Sequence, residues 1–232
     1  MERRKYELTS DTMVWDRHVL HRIRAIVSFA NVKAGDVGGW IESEDNLSHD
    51  RAAWVYGDAR VYGDARVGGN ARVYRDAWIS GNARICGNAR IYGNTWVRGN
   101  ALVSGDARIC GRAGINGNAQ VRGDAWICDD AQVDGNAQVD GHALVCGNAQ
   151  VCCNADYAVF KNCWSSMRWF TYTRSNKMWK VGCFYDTGDK LVKKAYADSE
   201  RSGRCYEAIV RAIETIEDEL QYQLLSSTNS TT

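Results

Sequence analysis

The sequence lacks several features that would point to particular classes of protein. It has no proline and only four histidines, and no stretch of the chain approaches 18 consecutive apolar residues. A transmembrane helix needs about 20 such residues, so we expect no membrane-spanning helix. The charged start, Met1-Glu2-Arg3-Arg4-Lys5, runs into a polar strand-like segment and predicts no signal peptide.

Net charge and cysteine usage also narrow the possible partners, cofactors and cellular location of the protein. The net charge is +1, which argues against a broad nucleic-acid footprint, so we expect no nucleic-acid partner. The nine cysteines contain no CxxC pair. This usage is typical of reduced thiols in a cytoplasmic protein, and we expect that location and no bound metal or cofactor.

A six-residue repeat dominates the middle of the chain. Cutting every six residues from Ala53 gives 17 consecutive units up to Asn154 with no insertion, among them AWVYGD and ARIYGN. The first position is Ala in 16 units, the third is Val or Ile in all 17, the fifth is Gly in 14 and the sixth is Asp or Asn in 15. Repeats of this kind are the signature of a solenoid.

Each preference in the repeat has a physical cause. Positions one and three point to the same side of a strand, so a small and a β-branched residue there describe a narrow, close-packed interior. Gly followed by Asn or Asp suits a tight corner, because Gly supplies positive φ and Asn tolerates it. Hairpins and helical crossovers do not fit within six residues, so the repeat predicts a parallel β-helix with three strands per coil.

The repeat divides the chain into four segments. We interpret residues 1–36 as an N-terminal cap with strands near Lys5–Leu8 and Val19–Val27, and residues 37–154 as the β-helix. Residues 155–224 predict a small α+β domain, and residues 225–232 a polar tail. In that domain we expect strands over 157–160, 167–173 and 178–184, and helices over about 189–197 and 203–222. Its aromatic residues require burial in their own core or against a partner, namely Trp164, Trp169, Phe170 and Trp179.

The chain resembles the left-handed β-helix proteins with hexapeptide repeats, whose best-known members are acyltransferases. The segment from Asn31 to Ser48, NVKAGDVGGWIESEDNLS, is similar to the first segment of bacterial and phage hexapeptide-repeat proteins. The resemblance covers residues 1–154 and implies a left-handed coil and a homo-oligomer, often a trimer. It also raises acyl transfer at an active site between subunits as one candidate function.

The residues that acyl transfer needs are scarce. The family's enzymes use a histidine base, usually beside a loop that leaves the coil, and the base must reach the acceptor by a hydrogen bond. The repeats contain one histidine, His142 at a corner, and no inserted loop. The sequence therefore favours a non-enzymatic binding or scaffold protein over an acyltransferase.

Residues 18 apart should stack on the same face, which gives the first face, beginning at Trp54, a distinct chemistry. Its N-terminal half carries arginines beside tyrosines, and arginine's planar fork suits a phosphate or carboxylate. These residues could hold a small anionic, nucleotide-like ligand, and the alternative is a solvated or self-associating face. The predicted binding residues are Arg72, Arg90, Arg108, Tyr74 and Tyr92, together with Arg75 and Arg112 at the adjacent corner.

The C-terminal half of this face is apolar. Such a patch usually marks an interface, so we expect the C-terminal domain or another subunit to cover it. The predicted interface residues are Trp126, Cys128, Leu144 and Cys146.

Cys110, Cys128 and Cys146 form one column about 4.8 Å apart. Zinc binding is not expected there, because tetrahedral zinc needs four ligands that converge on one point.

The next corner stacks five asparagines, whose amides we expect to hydrogen-bond along the column, namely Asn82, Asn100, Asn118, Asn136 and Asn154.

Overall fold

The six-residue repeat units fold into coils, and each coil contains three short strands. The computed structural model describes the backbone of residues 4–229 and the side chains of residues 4–220. About six turns of parallel β-helix form the main body, followed by a small antiparallel sheet and two helices. The predicted fold class, a parallel β-helix with a small α+β segment after it, is confirmed.

Parallel ladders join every third repeat unit, so residues 18 apart lie side by side on one face, as in the pair Arg90 and Arg108. The first face consists of Trp54–Val55, Arg72–Val73, Arg90–Ile91, Arg108–Ile109, Trp126–Ile127 and Leu144–Val145. The second face consists of Arg60–Val61, Trp78–Ile79, Trp96–Val97, Gly114–Ile115, Gln132–Val133 and Gln150–Val151. The third face consists of Arg66–Val67, Arg84–Ile85, Leu102–Val103, Gln120–Val121 and Gln138–Val139.

Small and β-branched side chains fill the interior. Every first-position and third-position residue of the repeat is at most 1% exposed. Burying one Val or Ile side chain stabilises by roughly 1.5–3 kcal/mol, so the stacked coils share a continuous apolar core. Thr95, the one departure from Ala at position one, is also buried, and its hydroxyl has no hydrogen-bond partner among the described residues.

Corners of the coil take the left-handed backbone that the glycines predict. Gly111 has φ 75°, and a Cβ there would lie 2.7 Å from backbone atoms of Asp129 on the next coil. Arg75 and Asp129, which replace glycine at the same corner of other coils, both have φ 58°. These two residues keep the glycine conformation against the steric penalty of their own Cβ atoms.

Asparagine side chains form hydrogen-bonded ladders along the corners of the coil. The ladder at the second corner was expected from the sequence. Asn82 donates to Asn100, and Asn100 donates to Asn118, each at 3.0 Å. The ladder continues from Asn118 to Asn136 at 3.1 Å. Asn154 is the exception, because its Oδ1 accepts from the backbone N–H of Gln138 instead.

A second ladder, which the sequence interpretation did not anticipate, lies on the third corner. There Asn70 donates to Asn88, and Asn88 donates to Asp106, each at 3.0 Å. The same physical signal was present in the sequence, because these three side chains also recur every 18 residues.

An antiparallel hairpin begins the β-helix. Its strands, Tyr6–Trp15 and His18–Ala25, pair with each other, and the second also pairs with Val37–Ile41, the first strand of the coils. The first strand is longer than predicted, because a register shift between Leu8 and Thr12 lets the polar run Thr9–Asp11 join it. A short 3-10 helix, Glu44–Asn46, completes the irregular first coil.

Buried polar groups tie this cap to the coils. Lys5 is 3% exposed, and its ammonium donates to the carbonyl of Ala53 at 2.9 Å and to those of Asp50 and Arg51 at 3.3–3.4 Å. Burial lowers the pKa of Lys5 to about 8. The Tyr6 hydroxyl donates to the carbonyl of Leu47 at 2.7 Å, and burial raises the pKa of Tyr6.

Two compact units make up the chain. The first comprises Met1–Val159 with Thr173–Asn176, and the second comprises Phe160–Tyr172 and the chain from Lys177 onward. None of the described helices is long and apolar enough to cross a membrane.

The C-terminal sheet has four strands in chain order, one more than predicted. They are Tyr157–Lys161, Trp169–Thr173, Met178–Val181 and Phe184–Asp186. Gly182, with φ 59°, makes the turn that separates the third strand from the fourth, which the sequence interpretation had merged into one. Helices Gly188–Asp198 and Glu200–Asn229 follow. The second helix passes the expected start of the tail at residue 225, and residues 230–232 of that predicted tail lie outside the described residues.

Aromatic side chains form the core of the second unit. Phe170 is fully buried and packs edge-on against Trp179 and Tyr206. Trp164 does not belong to this core, since 65% of it is exposed, and its burial against a partner stays a prediction. On the second helix Val210 is buried, whereas Ile216 is 53% exposed.

Candidate functional site

The N-terminal half of the first face carries an open groove of about 480 Å³, here called the Arg–Tyr groove. Its lining comes from four successive coils and the corner beside them. The lining residues are Tyr56, Gly57, Tyr74, Arg75, Arg90, Tyr92 and Arg108. Five of the seven residues predicted to bind an anion are brought together here: Arg75, Arg90, Arg108, Tyr74 and Tyr92.

Coil register places the groove's side chains. Arg90 pairs with Arg108 across the parallel ladder, so their side chains leave the same side of adjacent strands. Tyr56 and Tyr74 stack with ring centroids 4.6 Å apart and an angle of 11° between the rings. Tyr56 and Tyr74 belong to the first two coils that line the groove, so this stack lies at its N-terminal end.

Cationic charge in the groove is not neutralised by the protein. Arg75, Arg90 and Arg108 are all exposed, and none of them forms an ion pair with a carboxylate in the described part of the chain. An arginine that lacks a carboxylate partner keeps all of its donors for a ligand. The groove therefore presents three guanidinium groups beside an aromatic stack.

Tyr56 and Tyr92 stay protonated at neutral pH. Burial raises the pKa of Tyr56, and burial together with the neighbouring Cys110 thiol raises the pKa of Tyr92. The Tyr56 hydroxyl contacts Asn31 Oδ1 at 3.2 Å, which fixes that ring from the N-terminal cap. The rings can offer a π face and a hydroxyl donor, but not a charge.

Two of the predicted binding residues lie outside the groove. Arg72 is half-buried beside Tyr74, whose hydroxyl interacts with the Arg72 guanidinium and raises its pKa. Arg112 donates to both carboxylate oxygens of Asp130, at 2.6 and 2.9 Å. This pair neutralises Arg112, because Asp130 lies one coil further on at the same corner.

Tyr56 and Gly57 line the groove but were absent from the predicted site. The signal for Tyr56 was available, since it begins the same tyrosine column as Tyr74 and Tyr92. Gly57 could not have been singled out, because glycine occupies this corner position in 14 of the 17 repeat units.

The C-terminal half of the first face differs from the expectation in one respect. Cys128 and Cys146 form a disulfide with a Cα–Cα distance of 4.7 Å, so the prediction of free thiols is wrong for this pair. The parallel ladder sets the two residues directly side by side, within the range that a disulfide can bridge. Trp126 is 37% exposed, and its indole N–H donates to the sulfur of Cys110 at 3.0 Å.

His142, the only histidine of the repeats, lies at the third corner. Its Nδ1 is 3.5 Å from a carboxylate oxygen of Asp124, and both side chains are about half exposed. This corner is separate from the Arg–Tyr groove, whose lining belongs to the first face and first corner.

Comparison with known proteins identifies the repeat. A family model described as the YdcK β-solenoid repeat matches residues 53–69, 65–81 and 83–99. No curated protein matches the chain. The matched segments fall on consecutive coils of the solenoid and include most of the groove-lining residues. The chain is a hexapeptide-repeat β-helix protein, and its coils within residues 53–99 match the YdcK β-solenoid repeat.

Proposed function

We propose that the protein is a non-enzymatic binding scaffold whose β-helix holds the Arg–Tyr groove ready for a small anionic ligand with an aromatic ring, such as a nucleotide. The observation that carries the proposal is the group of three exposed arginines without carboxylate partners in the described chain, beside the stacked rings of Tyr56 and Tyr74.

Phosphate is the anion that the arginines suit best. Guanidinium groups donate paired hydrogen bonds to phosphate oxygens, and each such charge-assisted bond contributes about 1.5–3 kcal/mol. A purine or pyrimidine ring can stack on an exposed tyrosine, which contributes about 1–3 kcal/mol. Two arginine contacts and one stack, less the cost of association, favour a dissociation constant in the micromolar to millimolar range.

Rigidity of the coils supports this use. The backbone N–H of Arg90 donates to Ala107, and that of Tyr92 donates to Ile109, both at 2.9 Å, so the groove is anchored coil by coil. A ligand that binds a preorganised surface orders few backbone torsions, and the entropic cost of binding is lower for that reason.

Isothermal titration with nucleotides tests the proposal. The wild type is titrated with a nucleoside monophosphate, the matching nucleoside and inorganic phosphate. We expect the monophosphate to bind more tightly than either part alone. Arg90→Gln and Arg108→Gln should each weaken binding by tenfold or more, since each removes one charge-assisted contact.

Arg84→Gln is the matched control. Arg84 occupies the same repeat position on the third face, is also exposed and lies outside the groove. Equal losses for Arg84→Gln and Arg90→Gln would mean that general positive charge, and not the groove, attracts the ligand. Absence of any heat at millimolar ligand would refute the proposal.

Assembly is the second part of the proposal. We propose a homotrimer whose contacts include the exposed indole of Trp126, in line with the assemblies of the hexapeptide-repeat family. Native mass spectrometry of protein purified from its host reports subunit number and any bound molecule together. Trp126→Asp should reduce the subunit number, and an unchanged assembly would remove Trp126 from the interface.

An acyltransferase with an active site between subunits remains the alternative. Its support is the resemblance to the hexapeptide-repeat family over residues 1–154. For the scaffold we propose a phage–host setting, which rests on the segment Asn31–Ser48. Acetyl-CoA also carries a nucleotide, so binding alone does not separate the two functions. Release of free CoA in the presence of amine or hydroxyl acceptors would favour the enzyme, whereas the scaffold should bind the nucleotide part and leave the thioester intact.

A further inference from the structure

The C-terminal half of the first face carries a cluster of metal-ligating side chains. Cys128 and Cys146 occupy the fourth repeat position on successive coils, and Asp129 follows Cys128 at the corner. One ligand atom from each residue, two sulfurs and one carboxylate oxygen, lies within 4.8 Å of the others. Asp129 thus adds a carboxylate ligand from outside the cysteine column, which the three cysteines alone do not supply.

Asp129 has an unusual backbone for its residue type. It stands at a position that is glycine in 14 of the 17 units, and it keeps the glycine-like φ of 58°. Its carboxylate accepts the backbone N–H of Gly147 at 3.0 Å, so it leans toward the coil that carries Cys146. Asp129 makes no ion pair with a described cationic side chain, whereas its neighbour Asp130 is paired with Arg112.

The cluster is graded from buried to exposed. Cys146 is 3% exposed, Cys128 is half-buried and Asp129 is exposed. Cys110, the third cysteine of the column, accepts the indole N–H of Trp126 and lies two coils from Cys146. The donor set that the geometry brings together is therefore two sulfurs and one oxygen.

We propose that Cys128, Cys146 and Asp129 bind one thiophilic divalent cation of the zinc class when the disulfide is reduced, and that the disulfide closes the site. Thiolate and carboxylate are both zinc ligands, and three protein ligands leave a fourth tetrahedral position for water or another molecule. The site is independent of the Arg–Tyr groove and of the function proposed for it.

Oxidation and metal binding exclude each other because they use the same sulfur electrons. A dithiol reductant transfers two electrons and two protons to the disulfide, giving the Cys128 and Cys146 thiols and the cyclic disulfide of the reductant. The cation then replaces the two thiol protons, which are released to solvent, because only thiolates ligate the metal.

Cadmium titration of the intact protein tests the proposal, with the absorbance of the cadmium–thiolate bond as the readout. Exposed Cys152 and Cys153 are replaced by serine in every sample, to remove an unrelated thiol pair. We expect the reduced, chelator-treated protein to bind one equivalent of Cd²⁺, and Zn²⁺ to displace it. The oxidised protein should show no thiolate band.

Three substitutions locate the site. Cys146→Ser should abolish the band, and Asp129→Asn should keep the band but weaken binding, because the amide is a poorer ligand than the carboxylate. Cys110→Ser is the matched control from the same column and should bind normally. Equal loss in Cys110→Ser and Cys146→Ser, an unchanged affinity in Asp129→Asn, or no band in the reduced protein would overturn the assignment. Circular dichroism of each variant checks that the β-helix is intact.

Discussion

Gly114 is the position where a single methyl group should do the most damage on the second face. Its strand pairs with that of Trp96, and a Cβ on Gly114 would lie 2.1 Å from the Trp96 ring carbon Cζ2. Carbon atoms pack at about 3.5–4.0 Å, so the indole must move by more than about 1 Å in Gly114→Ala. The φ of Gly114 is not positive, and backbone strain therefore adds nothing to the effect.

The size of the loss follows from what the indole touches. Trp96 lies 6.2 Å from the ring of Trp78, and the guanidinium of Arg98 sits 4.5 Å above the Trp96 ring. Overpacking costs about 1–3 kcal/mol, and disturbing the ring contacts adds about 1 kcal/mol. The lower entropy of the unfolded chain with alanine returns about 0.4–1 kcal/mol. We expect Gly114→Ala to lower the free energy of unfolding by about 2 kcal/mol.

Urea unfolding followed by circular dichroism measures this loss, and a second background isolates its cause. In Trp96→Ala the obstructing ring is gone, so Gly114→Ala should be neutral or slightly stabilising there. Gly68→Ala is the control, because its Cβ would meet only Ser48 at an ordinary 3.7 Å. The same loss with and without Trp96, or no loss in the wild type, would refute the reasoning.

Three further changes test the cap, the core and the corners. The pKa of Lys5 is 10.5 in the unfolded chain and about 8 in the folded chain, so the folded state loses this proton at a lower pH. The free energy of unfolding should therefore rise by up to about 3 kcal/mol between pH 8 and 10.5. Urea titrations across that range should show no such rise in Lys5→Met relative to the wild type. Thr95→Val keeps the shape but removes a buried hydroxyl without a described partner, and it should raise the free energy of unfolding by about 1 kcal/mol; a fall would show that the hydroxyl is satisfied. Asn100→Ala breaks two ladder hydrogen bonds and should lower the melting temperature more than Asn94→Ala, an exposed asparagine at the first corner, with equal shifts counting against the ladder.

Prediction from sequence succeeded where one period controls the structure. Position three of each unit is Val or Ile, and its burial follows from the alternation of side chains along a strand, as Ile91 and Ile109 illustrate. The 18-residue stacking then follows from three units per coil. The asparagine ladder was predictable for the same reason, because stacking identical amides needs only the register.

Irregular segments were harder to predict. The strand Phe184–Asp186 is only three residues long, and the turn before it depends on the positive φ of Gly182. Ile216 fits an apolar stripe by spacing, but the helix buries Val210 and leaves Ile216 exposed, because tertiary contacts decide which part of a wide stripe is covered.

Within the candidate site, sequence placed the columns but not the pairings. Arg90 and Arg108 have the same repeat position as Arg72, and nothing in the spacing indicates that Arg72 turns to Tyr74. Arg112 looked like a further cation, and its neutralisation by Asp130 depends on two side-chain rotamers. The disulfide between Cys128 and Cys146 was within reach of the register argument, since the two residues were already assigned to one column.

The recurrence of 18 residues has a consequence for how the length of this protein can change. Deleting one six-residue unit would leave every corner and every strand chemically intact, yet all later residues would move to the neighbouring face. A deletion of a single unit between Tyr74 and Arg90 would thus scatter the groove over two faces, whereas loss of a full coil would shorten the column and keep its direction. Tolerated insertions and deletions should accordingly come in whole coils, because only a change of whole coils leaves every later residue on its original face.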